Sequence, residues 1–384
     1  MRLCIIANPT SIHTHRWLTY FVQQGHEVHL IGDLPHTGAL PAGIIYHDLT
    51  ALTNTRKLRY LAWAPRVRRL VRSLRPDVLH AQYVAGPGWL GAAAGMHPFL
   101  LSAWGSDLLV GPRRSRLQRT LARWALARAD YVTCVSQQLA DVAVEMGVEP
   151  ARSEVLTWGV DLDLFHPLAQ PERAALRDRL GVGDRPFVLS IRPVQPVYNP
   201  LQIARAVPLV IERVPDALFA VFTYRHDPAL MAQFRAIVEE AGAGEAVRYV
   251  PPLAGDREIA AYSQAADVAV SVSRSDGTPT SVLEAMACGA AMVVSDLPSV
   301  REWVGSNAGA VAPLDDPAAT ANAIADFVQD GDRRRRVQEA ARQVIARRAD
   351  RRLNMQRAGE IYAALAAGRT PQPLQEGAGQ TARS

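Results

Sequence analysis

Apolar positions along this chain fall into short unbroken runs separated by longer amphipathic stretches. The opening pieces, RLCIIA, then HTHRWLTYFVQQG closed by Gly25, then EVHLIG, read as strand, helix and strand, one parallel unit with a crossover helix. DVLHA, FLLSAWG, YVTCVS and EVLTWGV follow, each set off by a helical segment. Strands covered by helices on both faces need continuous apolar character, so this alternation predicts a doubly wound parallel sheet. The pattern lapses near GVDLDLFHPLAQPERAAL, and a second alternation begins with FVLSIR, ALFAVFTY, VRYVPP, DVAVSVS, AMVVSD and AGAVAP. Two domains are therefore expected, 1–166 and 172–350, with a linker around Phe165–Pro171. A helix over 351–367, around LNMQRAGEIYAAL, is expected to return toward the first domain. The stretch 368–384, polar and rich in Gly, Pro and Gln, reads as a mobile tail.

Length agrees with two domains, since 384 residues exceed what one ordinary core supports. Hydrophobic residues at 48% and charged ones at 21% give the balance of a globular protein. Cys4, Cys134 and Cys288 lie far apart in apolar stretches, spaced neither for disulfides nor for a metal, which favours a reducing, cytoplasmic setting. The run MRLCIIAN is too short for a signal peptide, and no stretch approaches the ~18 apolar residues that span a bilayer. Net charge is only +5, but it is unevenly spread. Arg56, Lys57, Arg59, Arg66, Arg68, Arg69, Arg72 and Arg75 crowd residues 51–76 with no acidic residue among them. Leu58, Leu61, Val67, Leu70, Val71 and Leu74 recur there at helical spacing, predicting an amphipathic helical region restarted at Pro65. A second basic run holds Arg113, Arg114, Arg116, Arg119, Arg123 and Arg128. The first could rest on an anionic membrane surface, or be simply a solvated charged face.

The candidate chemistry lies in SRSDGTPTSVLEAMACG. DVAVSVS reads as a strand, RSDGTPTS as a turn and VLEAMAC, ended by Gly289, as a helix. Asp276 then sits at the carboxyl end of a strand, the edge that faces the ligand crevice in open α/β sheets. With Thr278 as N-cap and Pro279 first in the helix, N–H groups over 278–281, those of Thr280 and Ser281 included, suit a diphosphate. Ionised Glu284 among Val, Leu, Ala and Met costs on the order of several kcal/mol unless paired. The vicinal hydroxyls of a ribose would satisfy both its oxygens, leaving Asp276 to face whatever lies beyond the phosphates. Two plainer readings stay open: Ser281 to Glu284 as a capping box, and Asp276-Gly277 as an ordinary turn pair.

DGTPTSVLEAMACGAAMVVSDLPSVREWV resembles the hallmark region of the family 4 retaining glycosyltransferases of the GT-B fold. That family carries two carboxylates separated by seven residues, usually both Glu, and here the first is Asp276, one methylene shorter. SIHTHRWLTYFVQQGHEVHLI, DVLHAQY, WGSDLL, VTCVSQQL, WGVDLDLF and AAYSQAADVAVSVS extend the similarity along the chain. The resemblance implies two facing Rossmann-like domains and a C-terminal crossover helix, with a nucleotide-sugar in the second domain and an acceptor in the first. It assigns Asp276 to the donor sugar and Glu284 to the ribose, as the residues themselves suggest.

Arg192, after the strand FVLSIR, matches the family's diphosphate-neutralising Arg, a role suited to a planar, always charged guanidinium. The family's usual Lys five residues later is Val197 here, so phosphate neutralisation falls on Arg192, on Asn199 and on the helix start. Trp104 stands where many members have a His near the transferred sugar. Asp107, just beyond, is a candidate for the acceptor or sugar side, or an N-cap. Thr10, Ser11, His13 and His15 fill the first strand-to-helix turn without glycine and could meet the acceptor.

No metal-ligand spacing is visible, so a metal-independent enzyme without a cofactor is expected. Dinucleotide, Walker and nucleophile-elbow motifs are missing, and nothing suggests nucleic-acid binding. The expected reaction moves a hexosyl unit from a nucleoside-diphosphate sugar to an acceptor hydroxyl with retention. The acceptor is a glycan, lipid-linked or small molecule, and the enzyme cytoplasmic or peripheral on the inner membrane surface. A same-fold nucleotide-sugar hydrolase or epimerase, and a non-catalytic nucleotide-sugar-binding partner, are the rivals.

Overall fold

In the computed structural model, which describes residues 1–35, 38–50, 59–253 and 255–373, the apolar runs become two parallel sheets. The first comprises β1 (Arg2–Ala7), β2 (Glu27–Gly32), β3 (Ile44–Asp48), β4 (Val78–Gln82), β5 (Phe99–Ala103), β6 (Tyr131–Cys134) and β7 (Ser153–Val155), in the order β3-β2-β1-β4-β5-β6-β7. The second comprises β8 (Phe187–Ser190), β9 (Leu218–Phe222), β10 (Val247–Val250), β11 (Val268–Ser271), β12 (Ala291–Ser295) and β13 (Ala310–Ala312), in the order β10-β9-β8-β11-β12-β13. Strand order reverses between β1 and β4 in one sheet and between β8 and β11 in the other. Those reversals are where open α/β sheets take ligands.

Side chains alternate across a strand, so Phe187 and Leu189 of β8 enter one apolar layer and Val188 the opposite one. In β9, Leu218, Ala220 and Phe222 are likewise divided from Phe219 and Val221. Burial on both faces is what makes these strands unbroken apolar runs. The sequence pattern does not single out β3, because an edge strand needs cover on one side only. Its IIYHD mixes polar with apolar positions and leaves Ile45 45% exposed.

The chain divides into two units, Met1–Trp158 with the stretch from Arg352 onward, and Gly159–Arg351. The crossing thus falls ahead of the linker expected at Phe165–Pro171. Val160 and Phe165 are buried in an apolar layer of the second unit, and the Val160 N–H bonds the Ala349 carbonyl at 2.6 Å. Gly159 (φ +69°) makes this possible, since a Cβ there would stand 2.4 Å from Arg351 Cα.

The final helix, Arg351–Ala366, places Met355, Ala358, Ile361, Tyr362 and Leu365 in the core of the first unit. Trp17 Nε1 donates to Tyr362 Oη at 2.9 Å, and Arg357 pairs with buried Glu154 at 2.7 Å. Of the basic stretch, Arg56, Lys57 and Leu58 lie outside the described residues, as do 374–384 of the tail. The rest forms one helix, Arg59–Leu74, that runs through Pro65 without restarting. Its buried stripe is Trp63, Val67 and Val71. Leu61 is off that phase and 73% exposed, which corrects its placement in the apolar stripe.

Candidate active site

In the second unit, loops from the carboxyl ends of β8 and β11 meet at the strand-order reversal. Arg192, just beyond β8, donates through Nη1 to Ser281 Oγ at 2.8 Å and through Nη2 to Asp276 Oδ2. Its guanidinium lies 4.3 Å from the centroid of the Tyr198 ring, a cation–π contact. Both members of the ion pair are largely buried, with 15% and 12% side-chain exposure. Arg192 Nε is buried with no hydrogen-bond partner among the described residues. Burial pushes the Asp276 carboxyl above its ordinary range, against the opposing Arg192 charge and the Gly277 N–H.

The helix beyond the turn runs Thr280–Ala287 with Pro279 as its N-cap and no side-chain cap bond. Thr278 is therefore not the cap, nor Pro279 the first helical residue. A proline at the cap position has no side-chain acceptor to offer, and the chain enters the helix one residue later than the sequence suggests. The Thr280 and Ser281 amides are the ones left without intrahelical acceptors, because the Val282 N–H already bonds the Pro279 carbonyl at 2.9 Å. Ser281 is the second helical residue and its hydroxyl accepts from Arg192, so no capping box forms with Glu284. Glu284 lies one turn into the helix at 7% exposure, and Thr278, ahead of the cap, is buried at 5%.

Asn199 does not join this cluster. Its Nδ2 donates to Gln202 Oε1 at 2.6 Å and its Oδ1 accepts from Arg274 at 3.0 Å. Gln202 in turn bonds the Pro313 carbonyl and Thr320 Oγ1. Asn199's amide is consumed in tying the helix Pro200–Arg213 to the β13 loop, which removes it from the phosphate contacts expected of it. Two residues that sequence reasoning passed over belong here instead, Tyr198 under the guanidinium and Tyr224 beyond β9. Burial raises the Tyr224 hydroxyl, which feels the charges of Arg192 and Glu284. Tyr198 follows the carboxyl end of β8, which flanks the reversal, the positional signal that singled out Arg192, and Tyr224 follows that of the neighbouring β9.

The first unit has its own constellation at the β1/β4 reversal. A cavity of about 340 Å³ opens there, lined by residues that include Asn8, Asp33, Tyr60, Tyr83, Trp89 and Trp104. Asp107 shapes one wall. Its carboxylate, 2% exposed, accepts from the Val84 N–H at 2.8 Å, Gly105 at 2.7 Å and Trp104 at 3.1 Å. It thus fastens the turn after β4, where Tyr83 adopts φ 93°, to the turn after β5 that carries Trp104. The N-cap of the short helix Ser106–Leu109 is Gly105, so Asp107 is neither that cap nor free to meet substrate. Ser11 caps the helix Ile12–Gln23 and lines the cavity. Thr10 is held by Asn8 Oδ1 at 2.8 Å and His15 by the Pro9 carbonyl at 2.6 Å. His13 stacks on Trp158 at 4.0 Å.

Two doubly wound parallel-sheet units, each gathering polar side chains at its strand-order reversal, are the architecture of the GT-B glycosyltransferases. Residues 2–136 match the model of the Glycosyl transferase 4-like family, and residues 172–344 that of Glycosyl transferases group 1. Each glycosyltransferase model matches less than half of the chain, but together they cover most of it, which places the chain among the GT-B glycosyltransferases. It is 28% identical over 290 residues to a D-inositol 3-phosphate glycosyltransferase of Salinispora arenicola, covering 69% of this chain and 64% of that one. It is 29% identical over 252 residues to a GDP-mannose-dependent alpha-(1-6)-phosphatidylinositol monomannoside mannosyltransferase of Mycolicibacterium smegmatis, covering 63% and 64%. The chain spans between about half and two thirds of the length of the curated relatives it matches. Anabaena HepE in complex with UDP and glucose has the same fold, with TM-score 0.77, 18% identity and coverage of 95% of this chain and 100% of that one.

No helix among the described residues is long and apolar enough to cross a membrane, and none of their His, Cys, Asp and Glu side chains form a group that could hold a metal ion.

Proposed function

We propose that the chain transfers a hexosyl unit from a nucleoside-diphosphate sugar to an acceptor hydroxyl with retention at the anomeric carbon. The observation that carries this reading is the Arg192 guanidinium, bridging Asp276 and Ser281 at the strand-order reversal beside the amides of Thr280 and Ser281. A diphosphate arriving there exchanges with the Asp276 carboxylate on Arg192 and takes the two open amides. Asp276 is then released toward the hydroxyls of the donor sugar, while Glu284 takes the ribose diol. Charge neutralisation falls to Arg192 and the helix start, so the reaction is expected to proceed without a metal.

Retention without a protein nucleophile requires same-face attack. The acceptor oxygen bonds to the anomeric carbon as its bond to the diphosphate breaks, and the acceptor proton passes to the departing phosphate oxygen. The side chains contribute positioning and charge stabilisation. Asp107 acts at one remove, by holding the turns that bear Tyr83 and Trp104.

The test is release of nucleoside diphosphate from UDP-glucose and GDP-mannose, with and without candidate acceptors, and the anomeric configuration of the product by NMR. Release independent of any acceptor would identify a hydrolase, and binding without turnover a non-catalytic partner. Glu284→Ala is expected to weaken donor binding by about 2 to 3 kcal/mol, the worth of charged hydrogen bonds to a diol. Titration calorimetry with the nucleoside diphosphate measures this, and unchanged affinity would remove Glu284 from the ribose.

The exposed arginines of the helix Arg59–Leu74, Arg66, Arg68, Arg69 and Arg72, further support peripheral association with an anionic membrane. Each contributes about 1 kcal/mol of attraction near such a surface. Co-sedimentation with anionic but not neutral vesicles, lost at high salt, is the expected result. Equal absence of binding from both at low salt would point to an acceptor taken from solution.

A further inference from the structure

The first unit holds a buried charge that the chemistry above does not use. Asp33 directly follows β2 and lines the cavity at 4% exposure. Its Oδ1 has no partner from another described residue, and besides its own N–H the carboxylate meets only the Tyr60 hydroxyl among them, from Oδ2 at 3.5 Å. Two nitrogens of the same lining, Arg59 Nε and Trp89 Nε1, are also buried with no partner among the described residues. The Arg59 Nη2 donates to Tyr60 Oη at 2.9 Å, and the Tyr60 and Trp89 rings stand edge to face at 5.5 Å. Gly86, at φ +75°, lets the chain pass so close that a Cβ would lie 2.5 Å from Tyr60 Oη, which fixes the hydroxyl in the wall.

A buried carboxylate oxygen and two buried N–H groups left open around aromatic rings are groups waiting for a ligand, since protein interiors satisfy such atoms almost without exception. The ligand must donate to Asp33 and accept from Arg59 and Trp89, which a hydroxyl does in both senses. About 340 Å³ sits at the small end of ligand pockets, and the aromatic rings offer a flat apolar face. The positive charge of Arg59 in the same lining is already offset by Asp33, so a phosphate or carboxylate here meets no uncompensated cation and is opposed by the Asp33 carboxylate, which selects against anionic ligands. We propose that this cavity is a subsite for one neutral polyhydroxylated ring, a sugar or cyclitol, with Asp33 receiving its hydroxyls and Arg59 and Trp89 donating to its oxygens. The proposal rests on the glycosyl-transfer reading, in which this ring is the acceptor or the acceptor's terminal unit.

Burial pushes the Asp33 carboxyl up to about 6 from an ordinary 3.8, only partly offset by Arg59, its own N–H and Tyr60. Tyr46, whose hydroxyl is raised by burial and by the charges of Asp48 and Asp33, faces it from β3. A carboxyl raised in the folded state costs stability when ionised. That cost is fully present above pH ~6 and fades as pH falls toward ~4. Removing the charge therefore stabilises the protein at neutral pH while disabling the subsite, the trade expected of a functional group rather than an architectural one.

The test uses the full chain and saturation-transfer NMR with myo-inositol, glucose, mannose and galactose, and with inositol 3-phosphate and glucose 6-phosphate, each at millimolar concentration. At least one neutral ring is expected to bind, with no phosphorylated ring binding better. Asp33→Asn should weaken that binding at least tenfold and raise the melting temperature at neutral pH, a rise that shrinks in acid. Trp89→Phe, which keeps the aromatic ring and removes the N–H, should weaken binding several-fold. No neutral ring binding, binding unchanged in Asp33→Asn, preference for the phosphorylated rings, or a lowered melting temperature in Asp33→Asn would each overturn the proposal. Nucleoside-diphosphate binding on the same samples reports the second unit separately, so failure of the donor reading is told apart from failure of the subsite.

Discussion

Arg192→Ala is expected to lower kcat/KM for glycosyl transfer by about a thousandfold, roughly 4 kcal/mol at 1.36 kcal/mol per decade, and also to weaken the fold. Two charged hydrogen bonds to a diphosphate account for most of the catalytic loss at roughly 1.5 to 3 kcal/mol each. The loss of stability has a different origin. Arg192 and Asp276 retain only 15% and 12% side-chain exposure, and removing one partner of such a pair leaves the other charge without compensation. Full burial puts that penalty at about 3 to 5 kcal/mol; the residual exposure here places it near the lower figure. Adding Asp276→Asn to Arg192→Ala takes the stranded charge away, so stability should largely return while turnover does not. Urea denaturation and steady-state kinetics on the two variants separate the effects. Wild-type kinetics in Arg192→Ala would remove Arg192 from the donor site. A double variant no more stable than the single one would mean the ion pair is not the source of the loss.

Asp107→Ala should cost about 3 kcal/mol or more of stability. Three backbone N–H groups, buried in Val84 and Gly105 and partly buried in Trp104, lose their acceptor together, and each buried unsatisfied donor costs about 1 to 3 kcal/mol. The penalties are not additive, because the freed turns relax. That relaxation has its own consequence at the cavity, where Tyr83 at φ 93° is held in a conformation costly for a bulky side chain. The acceptor KM is expected to rise at least tenfold while nucleoside-diphosphate affinity stays put, since the second unit is untouched. A urea midpoint equal to wild type would refute the clamp, and a loss of nucleotide affinity would place Asp107 elsewhere in the chemistry.

The parallel architecture was legible because both faces of the sheets are covered, which turns strands such as AMVVS and FVLS into uninterrupted apolar runs. The edge strand β3 was not, for the converse reason. Arg192 and Asp276 could be placed from position, each beyond a strand next to a reversal in strand order, and Ser281 from the helix start that follows. The same rule applied to the first sheet points past β1 and β4, to Asn8 and Tyr83, and passes over Asp33, which follows β2, one strand further out. What the sequence could not convey is which polar atoms are already engaged. Asn199 and Asp107 look as available as Asp276, but the amide of one and the carboxylate of the other are occupied by Gln202, Arg274 and backbone N–H groups. Helix entry at Thr280 likewise depends on local backbone geometry that Thr-Pro-Thr-Ser does not specify.

The helix Arg351–Ala366 gives the order of synthesis a role in how this protein matures. The second unit is one continuous stretch, Gly159–Arg351, and can close as soon as it emerges from the ribosome. The first unit is translated earlier, but its interior stays open until Tyr362 arrives to bond Trp17 and His80, 345 and 282 residues upstream. The half made first is thus the half completed last. A chain truncated before Tyr362 and released from the ribosome should resist protease across Gly159–Arg351 while Met1–Trp158 is still digested, and any chaperone that engages this protein during translation should be found on the amino-terminal half.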